Sequence, residues 1–147
     1  MPTRPQVGSR ALCLNQRRVA AIVVERLNAA TANHVTFAFP ASVRVADPGQ
    51  VRAVVRELCA LPVNTEINCP IDSGIRYQLR FLPVALRLVG VSLDPSGCRY
   101  VTGLGTPRRY ASDELWKVLA EAMAITKPGV APLCEFSGSG QGVPCQA

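Results

Sequence analysis

Histidine is almost missing from this chain of 147 residues: His34 is the single one, and no Cys-x-x-Cys pair accompanies it, so the spacing of a zinc site is absent. Aromatic residues make up 5% of the sequence, too few to lay out platforms on which unpaired bases stack. Acids are absent from residues 1–20, where Arg4, Arg10, Arg17 and Arg18 supply four of the six excess positive charges and leave a net +2 over the rest. A surface that displaces counterions from several phosphates needs a denser cluster of cations, so nucleic acid is not an expected partner. Long apolar runs are missing too. The longest near the start, 19–24, is cut off by Glu25 and Arg26, short of an export segment and far short of the ~20 residues that cross a bilayer. No integral membrane segment is expected. There is no internal repeat, no Gly-x-Ser-x-Gly turn and no pair of acids placed as a hydrolase dyad, so no catalytic residue, no cofactor and no metal is expected.

What the chain does have is cysteine, at positions 13, 59, 69, 98, 134 and 145. Six cysteines pair in fifteen ways and sequence does not choose among them. Cys69 with Cys98 is the expected pair, because both fall at the same end of a two-strand hairpin. Closing that loop of about 30 residues is worth roughly 3 to 4 kcal/mol. Disulfides imply an oxidising compartment, and the expected location is therefore extracytoplasmic or secreted, although no signal peptide is visible. The alternative is a reduced cytoplasmic protein in which Cys59 and Cys98 serve as small buried hydrophobes.

Periodicity outlines an α+β domain over 21–126, between flexible segments at 1–20 and 127–147. Val35, Phe37, Phe39, Ala41, Val43 and Val45 alternate as in a strand with one wet face, and Pro40 puts that strand at an edge. Residues 21–27 form a weaker strand before it. Asp47, Pro48 and Gln50 open a helix as cap, first residue and capping-box partner; Val51, Val54, Val55, Leu58 and Leu61 make its apolar face. Ile75, Tyr77, Leu79 and Phe81 mark the next strand, 85–93 a strand with a bulge, 98–104 its return, and 108–111 a short addition. Ser112, Asp113 and Glu114 start a second helix, with Trp116 as a core anchor. The order β-β-α-β-β-β-α predicts an antiparallel sheet of about four to six strands with both helices on one face, stapled by disulfide.

Few residues suggest chemistry. His34 would need partners that no motif supplies. Asp72, Ser73 and Gly74 read as a turn. Arg44, Arg76 and Arg80, with Arg87, Arg99, Arg108 and Arg109 nearby in the pattern, could gather on the uncovered sheet face and meet an anionic partner.

Two resemblances add to this. The run from Val23 to Ala41, with Arg26, Asn28, Asn33, His34 and Phe39-Pro40-Ala41, resembles a group of uncharacterised small exported proteins and lipoproteins of actinobacterial type. So do Leu58-Cys59-Ala60-Leu61-Pro62, Cys69-Pro70-Ile71-Asp72-Ser73-Gly74, Tyr77, Gly97-Cys98 and Trp116. That resemblance implies bacterial secretion and a disulfide-bonded domain, with no activity to carry over. The order of strands, helix with cysteine, Cys-Pro, hairpin and cysteine is also similar to the Streptomyces subtilisin inhibitor family. There a Cys-Pro pair precedes the residue that enters the protease pocket; by that likeness Cys69, Pro70, Ile71 and Asp72 form a reactive loop, with Ile71 as the pocket residue. The chain departs from that family in offering Cys59 no expected partner ahead of the helix, in Asp72, which follows the scissile position, and in its closing helix. The leading expectation is an extracytoplasmic, non-enzymatic domain that binds an unknown protein partner; protease inhibition is the alternative.

Overall fold

The structure is a computed structural model, and it describes residues 11–27 and 37–138. His34 and Cys145 lie outside that set. Four helices, α1 (Ala11–Leu14), α2 (Pro48–Cys59), α3 (Asp113–Ala122) and α4 (Pro132–Ser137), accompany six strands: β1 (Ala21–Leu27), β2 (Ser42–Val45), β3 (Arg76–Leu82), β4 (Val91–Leu93), β5 (Tyr100–Thr102) and β6 (Arg109–Tyr110). The strands form one antiparallel sheet in the order β2-β1-β3-β4-β5-β6. This is the expected α+β architecture at the upper end of its strand count.

Register sorts the side chains between two faces. Ile22 lies between Val45 and Phe81, Val24 between Val43 and Leu79, and Tyr77 opposite Leu93. These residues meet Val51, Val54, Val55 and Leu58 of α2 and Leu115, Trp116 and Leu119 of α3 in one core. On the opposite face stand Arg44, Val23 and Arg80 in one cross-strand row. The helices begin where their capping residues require. The Asp47 carboxylate accepts from Gln50 N at 3.0 Å and Ser112 Oγ from Leu115 N at 3.3 Å, each satisfying a first-turn donor. The Gln50 side chain does not fold back to complete a capping box; its Nε2 donates to Glu121 O at 3.4 Å and ties α2 to the end of α3.

Three expectations need correction. Of the alternation at 35–45, positions 35 and 36 lie outside the described residues, and from 37 onward it yields a strand only at Ser42–Val45, because Pro40 offers the ladder no donor; β2 is nonetheless an edge strand, as that proline predicts. The phase change expected as a bulge in 85–93 is a 3₁₀ turn at Val84–Leu86, closed by Arg87 at φ 52°, and the strand shortens to Val91–Leu93. Finally, the folded body extends past both expected boundaries. Leu12 is buried and Cys13 is bonded to Cys59, Cα atoms 5.6 Å apart. Beyond α3, Phe136 of α4 is fully buried, its ring 4.7 Å from that of Trp116 and 5.1 Å from that of Tyr77. The Tyr77 hydroxyl donates to Phe136 O at 2.6 Å; burial pushes this phenol above its ordinary range, against the pull of nearby Arg26.

Candidate functional site

The segment between α2 and β3 crosses the end of the sheet without regular structure, yet its backbone is fixed at several points. Val63 bridges to Arg109, Tyr110 N donates to Pro62 O at 2.9 Å, and Asn64 N donates to Arg108 O at 2.8 Å. The Asn64 amide donates to Cys98 O at 2.8 Å, while its Oδ1 accepts from Glu66 N at 2.9 Å. Cys69 is joined to Cys98 just past the β4 turn, with Cα atoms 4.8 Å apart, inside the range a disulfide spans. The expected pair is therefore present, and Cys98 is the buried end of it.

On the other side of Ile71 a second brace takes over. Ser96 Oγ donates to Asp72 Oδ1 at 3.2 Å and accepts from Ser73 N at 2.9 Å. Having spent its proton on Asp72, Ser96 also accepts from the Ser73 hydroxyl at 2.9 Å, which in turn accepts from Ile75 N at 3.3 Å. Asp72 Oδ1 also accepts from Gly74 N at 2.8 Å, the turn chemistry its sequence suggests. Gly97, at φ +66°, lets the β4 turn close against this cluster: a Cβ there would stand 3.1 Å from Asp72 Cβ.

The loop turns apolar side chains to solvent: Ile71, between the two braces, is 94% exposed, and Ile67, just ahead of Cys69, is 88% exposed. Exposure of single apolar residues is ordinary, but two isoleucines on one anchored loop leave apolar surface that the fold itself does not use. Of the expected reactive loop, Cys69 and Pro70 precede Ile71 at its summit, and Asp72 is held from beneath by Ser96.

Behind the loop lies a cavity of about 330 Å³, lined in part by Pro70, Asp72, Arg76, Asp94 and Arg108. Arg76 reaches both carboxylates, Nε at 3.4 Å from Asp94 and Nη2 at 3.6 Å from Asp72. Burial raises the Asp94 pKa, and Asp72 adds to that, while Arg76 and Arg108 oppose it. Arg108 itself lies over the Tyr100 ring at 4.0 Å. The arrangement is a charge-balanced seam that locks the loop to the sheet. Among the described residues no group of three His, Cys, Asp or Glu side chains could hold a metal.

The arginine face expected from the sequence is assembled but largely neutralised. Arg44, Arg76 and Arg80 share the uncovered side of the sheet; Arg80 donates to Glu25 from Nε at 2.9 Å, and Arg76 is spent on the two aspartates. Only Arg44 of the three lacks an acid. Sequence reasoning missed the Ser96 brace, for which no signal exists before the fold is known, and it left the partner of Cys59 open.

No protein-family model, no curated protein and no solved structure matches this chain. No helix among the described residues is long and apolar enough to cross a membrane.

Proposed function

We propose that this chain is an extracytoplasmic, non-enzymatic binding domain that meets a protein partner through the loop 64–74. The observation that carries the reading is the exposure of Ile67 and Ile71 on a loop already fixed by a disulfide and the Ser96 brace. A loop ordered before contact loses little conformational freedom on binding, so apolar contact translates more fully into affinity. The two crosslinks, Cys13 to Cys59 and Cys69 to Cys98, favour an oxidising compartment. A photo-crosslinking residue at position 71, in the cells that make the protein, is expected to yield one discrete protein adduct. The same residue at Val84, exposed but at the far end of β3, is expected to yield none. Equal adduct patterns from the two sites would overturn the reading.

One arrangement favours a more specific alternative, the inhibition of a serine protease of the subtilisin class. Ile71 follows Cys69 and Pro70, protrudes fully, and is braced on both sides, as a residue inserted into a protease pocket without being released would have to be. Titration against subtilisin and chymotrypsin tests it. Tight stoichiometric inhibition that disappears in Ile71→Gly establishes inhibition over simple binding, and slow cleavage without inhibition rejects it.

A further inference from the structure

A second constellation lies on the outer side of α2, independent of the loop and of the reading given to it. Arg52 and Arg56 are one helical turn apart, and Cys59 follows Arg56 by three residues, so all three lie on adjoining parts of the helix surface. Across the Cys13–Cys59 bond the chain continues from α1 into a 3₁₀ turn at Gln16–Arg18, which packs on α2. Gln16 Nε2 donates to Cys13 O at 3.2 Å and steadies that turn. The crosslink thereby assembles Gln16, Arg17, Arg52 and Arg56 around an open cleft of about 640 Å³.

The charges in this cleft are uncompensated. All ten acids of the sequence fall within the described residues, and none forms an ion pair with Arg17, Arg52 or Arg56. Glu57 adjoins Arg56 in sequence but points about 100° away around the helix axis. Arg76, Arg80 and Arg99, by contrast, each have a carboxylate partner. Like charges at i and i+4 oppose helix formation, and the fold adds a third guanidinium to them through a covalent bond. An anion shared among the three turns that repulsion into attraction, because guanidinium forks donate in pairs to phosphate or sulfate oxygens.

We propose that the cleft binds a compact phosphate- or sulfate-bearing ligand, and that the Cys13–Cys59 bond assembles the site. Calorimetric titration of the full chain with inorganic pyrophosphate, and sedimentation with phosphatidylglycerol or phosphatidylcholine vesicles, distinguish a free anion from a headgroup. Saturable binding of pyrophosphate or of the anionic vesicles is expected, at least about tenfold weaker in an Arg52→Gln/Arg56→Gln variant. Arg44→Gln, which removes an equally unpaired charge from the open sheet face, is expected to change it less than about twofold. Binding to neither probe, or equal losses in the two variants, would overturn the proposal. The exposed arginine substitutions leave the core intact and decide the matter alone; in Cys13→Ser/Cys59→Ser, if folded by circular dichroism, affinity is expected to fall as in the arginine variant.

Discussion

Asp94 is a largely buried carboxyl whose surroundings favour its neutral form, since burial and Asp72 together outweigh Arg76 and Arg108. The folded chain therefore holds this proton to a higher pH than the unfolded chain does. Between those two values the folded state binds more protons, so the contribution of Asp94 to stability falls as pH rises through that window. A carboxamide has no such proton to lose. The melting temperature of Asp94→Asn relative to the unmodified protein is accordingly expected to be more favourable at pH 7 than at pH 3. A difference that stays flat, or that grows more favourable on acidification, would show that the ion pair with Arg76 outweighs burial. Asp72 across the seam is partly exposed, and its Oδ1 accepts hydrogen bonds from Gly74 N and Ser96 Oγ.

The loop and the helices differ in what holds them. Helices α2 and α3 are fixed by capping and by an apolar stripe, both local properties of the chain, and both were legible: Asp47, Pro48 and Ser112 mark starts, and Val51, Val54, Val55, Leu115, Trp116 and Leu119 mark buried faces. The loop 64–74 is held by residues from elsewhere, above all Ser96, 23 residues beyond Ser73. Ser96→Ala removes three hydrogen bonds at once and leaves the Ser73 amide without its acceptor. The cost is expected to be about 1 to 3 kcal/mol, lowering the global melting transition and also accelerating cleavage at the loop by a dilute nonspecific protease, because local opening precedes global unfolding. Equal rates would mean that the disulfide alone orders the loop. The same distinction explains the errors in the strands. Alternation correctly placed Tyr77, Leu79 and Phe81 inward, but 85–93 has enough apolar residues to imitate a strand, and the 3₁₀ turn at Val84–Leu86 is set by packing that no periodicity reveals.

At the scale of the whole molecule, the unexpected feature is how the segments at 11–20 and 127–138, outside the expected domain, join the core. Composition at 127–147 is rich in glycine, serine and proline, and it is the overall composition that suggested a loosely ordered end. Yet Pro132 opens α4 at its first position, and Phe136 fills the space between Tyr77, Trp116 and Phe39, with ring centroids 4.7 to 5.8 Å away. One aromatic residue thus changes a polar tail into a third cover on the sheet. It also accounts for the Tyr77 hydroxyl, which would otherwise be buried without an acceptor near the start of β3. Phe136→Ala leaves that backbone acceptor in the chain but removes the ring that seats it, so the loss combines an aromatic cavity with a weakened hydrogen bond. Such a change at a mobile end would be neutral, whereas in a packed core it costs about 3 to 5 kcal/mol, a large fraction of the 5 to 15 kcal/mol that holds a typical domain together. Chemical denaturation of Phe136→Ala is therefore expected to show a lower midpoint with an unchanged slope. A variant with the midpoint of the parent would return α4 to the status of an appendage and leave Tyr77 to be satisfied by water.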